Sequence, residues 1–521
     1  MKNMPFPQTG ISVFNENQEN RNARVLSFAP AEAAAFDAYC AQLSAEGYVE
    51  KEAYTQGMHR FAAFQLDDCG IFVNYYGSAH ELRVVAEENC TYFHHSDRPG
   101  KASVSAQITQ LALENFGMSY VIRLSDGRFI LIDGGNNIEA DCRKLYDCLK
   151  KQSPFEKPVI ASWILSHPHS DHFNCFLGFM EAYAQEVVIE SFLFNFPECD
   201  DYVHYPALAD ESFYTVKALP AVVNVPKMLD WVAKSGAAVY TPHTGQRYSI
   251  GDANLEILSS MDDTIHLSQN INCISLVIRM TLGGQVILWT SDADFNSARL
   301  AQRYGSWLKA DILQIPHHGL QCGTAEAELE GYAMIQPRVC LLPADDFTAF
   351  TFFCAYRPST RSLMLSDTVE ELITGSTEHT LVLPYEPPAG AMEKIRKQMR
   401  EGETHAGARV WFFTGLSTAN PEDYVFTLLN TVIPTASVRI DLYFEEKARA
   451  VRDVRTEVTG SCFRQINLLS DDVDGNYPSF STVTLQRRGF PENQPFAVRF
   501  LSDIPIVVSH KKHAAAYHSI G

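Results

Sequence analysis

A chain of 521 residues, 46% of them hydrophobic, is globular and too long for one ordinary core, so two or three domains are expected. No apolar run reaches the roughly 18 residues needed to cross a bilayer, and the start "MKNMPFPQTG" has no basic segment followed by an apolar core; both point to a soluble, cytoplasmic chain without membrane contact. A formal net charge of −20 argues against long nucleic acid as a partner and for a small-molecule substrate, while 12 cysteines without a C-x-x-C pair imply reduced, mostly buried thiols rather than a thiolate zinc knuckle.

Residues 31–47, "AEAAAFDAYCAQLSAEG", place Phe36, Tyr39 and Leu43 at helical spacing, with Gly47 as a stop. "HRFAAFQL", "CGIFVNYYG" and "ELRVVAEE" follow as three short strands, giving a small α+β module over residues 1–97, after which the polar "HHSDRPGKAS" reads as a linker. From 103 to 387 strands and helices alternate. "SYVIRLSDGRFILIDGG" has the strand, Asp-Gly turn and strand of a hairpin. "PVIASWILSH", "VVIESFLFN", "ISLVIRMTLGGQVILWTSD", "ADILQIPHHG" and "RVCLLP" read as further strands, with helices predicted near 138–150, 174–185, 222–235, 294–305 and 360–373. Sheets covered by helices, an α/β architecture, are therefore expected. "EPPAGA" leads into a charged helix, "MEKIRKQMREG", and residues 405–521 turn strand-rich in "RVWFFTG", "ASVRIDLYFEE", "STVTLQ", "FAVRFL" and "PIVVSH". A β-rich, sandwich-like accessory domain for interaction or packing is expected there; its "DDVDG" lacks calcium-loop spacing and reads as an Asp-Gly turn.

The chemistry concentrates in "SWILSHPHSDHFNC", residues 162–175. His167 and His169 stand two apart at a strand end, so their side chains point to one side; Asp171 and His172 follow where the chain turns into a helix. Imidazole and carboxylate donors converging from a strand end and a helix entry suit zinc or another first-row divalent ion.

"SHPHSDH" resembles the H-x-H-x-D-H signature of metallo-β-lactamase-fold hydrolases, and three more segments resemble that family's blocks in order. They are "FILIDGG" with Asp133, "NCISLVIRMTLGGQVILWTSDAD" with Asp292, and "ADILQIPHHG" with His317 and His318. The N-x-x-S-L-V of Asn272 and Ser275 together with the H-H-G looks most like the branch containing the hydrolase domain of DNA-uptake competence proteins and phosphorylcholine esterases. The resemblance covers roughly residues 103–345 and implies an αββα sandwich holding two divalent metal ions, zinc first, with manganese or iron as alternatives. It gives one ion His167, His169 and a third histidine, and the other Asp171, His172 and one of the terminal pair, with Asp292 bridging. His204, His243 and His266 are the candidates for the third histidine, and His243, on a loop before a strand pair, is chosen. Neighbours on a strand end point to opposite sides, so His318 is taken as the ligand and His317 is left to support a ligand from behind or to contact substrate. Asp133, Asn272 and Ser275 would stand behind the ligands and orient them.

Two departures from the family pattern stand out: Ser291 replaces the glycine before the bridging aspartate, and Phe173, Asn174 and Cys175 replace small residues after the signature, putting bulk beside the expected pocket. Cys175 reads as a buried structural thiol. Two ions sharing a carboxylate acidify a bridging water, so the resemblance implies hydrolysis by a bridging hydroxide held also by Asp171, with His317 steadying the leaving group. A histidine at position 169, where the family's oxygen-reducing members carry a carboxylate, favours hydrolysis over redox chemistry. A phosphodiester or phosphoester is the expected substrate; a lactone, β-lactam or thioester, or a non-catalytic scaffold, are the alternatives. Phe347, Phe350, Phe352, Phe353 and Tyr356 would either line a pocket for a cationic or apolar group or pack as core.

Overall fold

The computed structural model describes residues 5–7, 13–17, 23–114, 117–197, 218–264, 271–320, 323–346, 349, 357–393, 395–396, 408–417, 419–430, 436–444, 451–459, 463–468 and 495–510. The chain divides into two compact units, Met1–Asp346 with Ser362–Met392, and Phe347–Arg361 with Glu393–Gly521. No helix among the described residues is long and apolar enough to cross a membrane.

The first unit begins with an antiparallel six-stranded sheet, in the order Val13–Asn17, Ala23–Phe28, Glu81–Glu87, Cys69–Tyr76, His59–Leu66, Val49–Gln56. The helix Ala33–Ala45 lies on one face and buries Phe36, Tyr39 and Leu43 against Leu26, Ala62, Phe64, Ile71 and Val73. The intervening residues Phe61, Ala63, Phe72 and Val85 point the other way, into a core shared with the next layers. Strand periodicity of two thus buries both faces. Val49–Gln56 is polar and half exposed, which hid it from hydrophobic pattern reading.

Two further sheets form the centre. One has eight strands, in the order Ala238–Tyr240, Ser191–Leu193, Val159–Ile164, Phe129–Asp133, Ser119–Arg123, Gln107–Gln110, His379–Val382, with Val188–Ile189 also on Val159–Ile164. The other has seven: Arg247–Ile250, Ala253–Ser259, Val277–Leu282, Gln285–Trp289, Ile312–Gln314, Val339–Leu342, Glu371–Thr374. Ile122, Ile130, Ile132 and Ile164 of the first meet Ile257, Ile278, Met280 and Ile287 of the second, and Tyr120 packs 4.8 Å from Trp289. Val121, Leu131, Ile160 and Trp163 face outward onto the helices Glu139–Gln152, Ser170–Tyr183 and Ala218–Ser235. On the second sheet, the parallel strands Ile312–Gln314 and Val339–Leu342 are joined through the helix Ala325–Ile335, the crossover that parallel pairing requires. The layers are those of an αββα sandwich.

Three sequence expectations shift. The signature helix starts at Ser170 rather than 174, so Asp171 and His172 occupy its first turn. The helix predicted from 294 is only Leu300–Tyr304, and the one predicted over 360–373 stops at Leu365, its remainder forming the strand Glu371–Thr374. Parallel pairing of that strand with Val339–Leu342 outweighs the helical propensity of Glu371 and Leu372.

The second unit is β-rich. Its 16-residue strand Pro495–His510 pairs with Ala436–Phe444 and Ala408–Ser417, and its last four residues pair with Val425–Leu429, around a core that includes Phe413, Phe426, Leu442 and Phe500. "STVTLQ" and "DDVDG" lie outside the described residues.

The stretch read as a linker is anchored. Arg128, 2% exposed in its side chain, pairs with Asp126 at 2.7 Å, Glu190 at 2.7 Å and Asp97 at 3.0 Å. Asp97 also accepts a hydrogen bond from Gly251 N. Replacing Arg128 with Met keeps the buried stem and removes the charge the three carboxylates share; because those carboxylates are partly exposed, a loss of about 3 kcal/mol is expected in urea unfolding. A loss below about 1 kcal/mol would mean that the network is no stronger than a surface pair.

Candidate metal centre

The signature histidines leave the carboxyl end of Val159–Ile164, which runs parallel to Phe129–Asp133, so Asp133 ends one strand beside them. His169 caps the helix Ser170–Tyr183, and Asp171 in its first turn suits the positive helix end. Gly134 N and Gly135 N both donate to His172 O, at 2.8 and 3.0 Å, pinning that turn to the loop after Asp133. Gly117 approaches from the other side, so closely that a Cβ there would lie 2.8 Å from Asp171 O. Asp292 follows the strand Gln285–Trp289, and His317 and His318 follow the parallel strand Ile312–Gln314. Gln314 ties the two loops together, accepting from Thr290 N at 2.9 Å and donating to Ser291 O at 3.2 Å. Asp133, Ser291, His317 and His318 all have positive φ, between 48 and 56°. Strained backbone of this kind collects at sites where side-chain placement is over-determined.

Two groups of ligand-type side chains result: His167, His169 and Asp292, and Asp171, His172 and His318. Asp292 Oδ2 lies between them, 3.1 Å from His172 Nε2, 3.7 Å from His318 Nε2 and 3.8 Å from His167 Nε2. Behind them, His172 Nδ1 donates to Asp133 at 2.8 Å, and Ser166 holds Asp133 through its backbone N at 2.8 Å and its hydroxyl at 2.7 Å. His318 Nδ1 donates to Pro343 O at 3.1 Å, which turns Nε2 inward. This is the outer support that metal-binding imidazoles use.

Burial holds His167 well below the usual histidine range, so it is neutral. Burial also opposes charge on His172, but Asp292, Asp133 and Asp171 overcome it and raise that imidazole well above its usual value. Asp292 is held well below the carboxylate range: burial would raise it, and the charges of His172, His318 and His317 win. Its Oδ1 is buried without a hydrogen-bond partner among the described residues. An orphaned carboxylate oxygen amid converging imidazole nitrogens fits a divalent cation, because such a group is otherwise costly to bury.

Of the sequence candidates, His167, His169, Asp171, His172, Asp292 and His318 come together, and Asp133 stands behind His172. His317 lies beside them. The pair sits in the turn Pro316–Gly319, where left-handed backbone replaces strand alternation, and His317 Nε2 lies 3.9 Å from Asp292 and 2.9 Å from Asn272 Nδ2. Ser275 is buried and donates through its backbone to Asn272 O at 3.0 Å. His243 is not brought to the centre. Its Nδ1 donates to Asp262 at 2.5 Å and its Nε2 faces Glu87 at 3.4 Å, so two carboxylates hold the ring elsewhere. His204, His266 and the aromatic set Phe347, Phe350, Phe352, Phe353 and Tyr356 lie outside the described residues. Phe173 does not crowd a pocket: helix phase turns it into the helix–sheet core with Phe196. Asn174 accepts from Asn224, on the neighbouring helix. Sequence reading missed Ser166 and Gln314, whose only signal is their place in the strand-end segments "LSHPHSDH" and "ILQIPHHG".

Two measurements follow from this geometry. Metal analysis after loading with zinc should find two ions per chain, falling to one or none in Asp292→Ala. For His243, burial lowers the imidazole, but Asp262 and Glu87 raise it from 6.5 to about 10. A raised folded value stabilises fully below 6.5 and loses that contribution as pH climbs through about 10. The urea midpoint of His243→Gln should therefore fall well short of wild type at pH 6.5 and approach it above pH 10. An unchanging gap would mean that the ring is held by packing alone.

A family model described as the metallo-beta-lactamase superfamily matches residues 113–212, which include Asp133 and the whole signature. No curated protein matches the chain. Among solved structures, the metallo-beta-lactamase fold protein YhfI from Bacillus subtilis is similar at 12% identity, covering 53% of this chain and 98% of its own, with a TM-score of 0.31. Human tRNase Z, short form, is similar at 10% identity over 45% of this chain and 90% of its own, with a TM-score of 0.28. The Anabaena sensory rhodopsin transducer is similar at 24% identity over 20% of this chain and 83% of its own, with a TM-score of 0.15. The likeness to the metallo-beta-lactamase superfamily thus lies in residues 113–212, the stretch that carries Asp133 and the signature.

Proposed function

We propose that the protein is a dinuclear-metal hydrolase acting on a small phosphodiester or phosphoester. The observation that carries this is the convergence of two three-member ligand groups on the buried Asp292 carboxylate. His167 and His169 would hold one ion, and Asp171, His172 and His318 the other, with Asp292 shared. Divalent ions, when bound, supply Lewis acidity, which acidifies water and draws charge from the scissile group. The remaining work falls to side chains that substrate can reach. Asp171 is 15% exposed and His317 19%, against 0–2% for His167, His172, Asp292 and His318. Asp171 would accept a hydrogen bond from the attacking water and orient it. His317 accepts from Asn272 Nδ2 at its Nε2, which leaves the proton on Nδ1, and through Nδ1 it would donate to an oxygen of the substrate as charge develops there.

Phosphorus is favoured because two neighbouring ions suit in-line displacement, and because the N-x-x-S-L-V and H-H-G segments resemble those of phosphoester-cleaving relatives. The net charge of −20 weighs against a long polyanion and for a small ester.

The test is hydrolysis of bis(4-nitrophenyl) phosphate by protein loaded with zinc or manganese, with His169→Ala as the blank. Metal-dependent turnover absent from the blank is expected. Asp171→Ala should lose at least about a hundredfold in kcat, and His317→Ala a comparable factor with its metal content intact. Loaded protein that cleaves a lactone or thioester but not the phosphodiester would refute the phosphoester assignment while leaving a hydrolase.

A further inference from the structure

Cys142 lies in the helix Glu139–Gln152 and Cys175 in the helix Ser170–Tyr183, whose first turn carries Asp171 and His172. Their sulfurs are 3.5 Å apart, both residues are buried, and the Cys175 thiol donates to Cys142. We propose that these two cysteines are a peroxide-sensitive pair, and that closing a disulfide between them loosens the metal centre.

Three observations support this. The sulfurs need to close by only about 1.5 Å to reach bonding distance. The two helices already pack so closely that a Cβ at Gly178 would lie 3.0 Å from Cys142 Sγ. Cys175 is also tied to the loop that fixes His172. Its backbone N donates to Gly135 O at 2.8 Å, its Sγ lies 3.6 Å from where a Cβ of Gly134 would stand, and Gly134 N and Gly135 N both hold His172 O. Gly134 directly follows Asp133, the partner of His172 Nδ1. A shift of Cys175 toward Cys142 therefore pulls on the elements that aim His172.

The chemistry balances with a peroxide as oxidant. Cys175 donates its thiol proton to Cys142 Sγ at 3.5 Å, and this hydrogen bond favours negative charge on Cys142, the sulfur assigned as the attacking one. That sulfur attacks a peroxide oxygen, the O–O bond breaks, and a sulfenic acid and one water form. Cys175 sulfur then attacks the sulfenic sulfur, the S–O bond breaks, and a second water leaves with the Cys175 proton. The two sulfurs give up two electrons together, and the peroxide takes them.

The full chain is treated with hydrogen peroxide, alkylated, and digested without reduction. Mass spectrometry should then find one linked peptide pair containing Cys142 and Cys175, which dithiothreitol abolishes and Cys142→Ser lacks. Both thiols alkylated after treatment, or each over-oxidised separately, would overturn the proposal. The effect on the centre rests on the metal reading above and is measured apart from hydrolysis, by zinc titration against a chelator. Linked wild type should bind zinc about tenfold more weakly than reduced wild type, with treated Cys142→Ser and Cys142→Ala unchanged. Equal affinity of the linked and reduced forms refutes the coupling. Reduced protein that binds no zinc refutes the metal reading as well, while the linked peptide still decides the pairing.

Discussion

A carboxylate as deeply buried as Asp292 has to be met by positive charge, and the architecture of the site follows from that demand. Imidazole nitrogens reach its Oδ2 from two distant stretches, residues 167–172 and 317–318. They can do so because each stretch leaves the carboxyl end of a parallel strand: Val159–Ile164 beside Phe129–Asp133, and Ile312–Gln314 beside Gln285–Trp289. Strand ends aligned by pairing put loops at one edge, but they do not aim side chains. The aiming is done by left-handed backbone at Asp133, Ser291, His317 and His318, which costs roughly 1–2 kcal/mol at each. Gln314, Ser166 and Pro343 O then lock the loops with hydrogen bonds.

The N-terminal sheet belongs to this arrangement mechanically. Glu81 is fully buried against Arg299 and Arg303, in the segment that follows Asp292. Asn74 Nδ2 donates to Thr244 O, Tyr54 hydroxyl donates to Gly245 O, and Glu87 faces His243. Polar groups of one face of the sheet thus hold the loop 243–245, while Phe61 and Phe72 of the same face fill the shared core. Burying both faces of the sheet, with one helix on the far side, leaves it no independent solvent face toward the sandwich.

This explains which parts were legible in the sequence. The hairpin Ser119–Arg123 with Phe129–Asp133 and the hairpin Val277–Leu282 with Gln285–Trp289 carry local signals, turn residues between apolar runs, and both were readable. So were His167, His169, Asp171 and His172, whose spacing and strand-to-helix context sit within one short segment. Asp292 and His318 needed the order of several segments. His243 misled because a histidine on a loop before a strand pair looks the same whether a metal or carboxylates hold it; Asp262 and Glu87 come from elsewhere in the chain, and only folding brings them there. For His317 and His318 strand alternation is no guide, because beyond Gln314 the chain has left the sheet for a left-handed turn.

The same logic separates what holds the site from what can act in it. A ligand-type side chain that is sealed from solvent can set geometry and charge, but it cannot meet a substrate. His167, His172, His318 and Asp292 are sealed, and each is backed or flanked by other buried polar groups. Asp171 and His317 are the partly exposed members, one carried by the first turn of a helix and the other by a left-handed turn. On the proposed reading, selectivity must then arise from what surrounds these two residues rather than from the ligand set, because a buried set of imidazoles and carboxylates presents the same interior whatever substrate approaches.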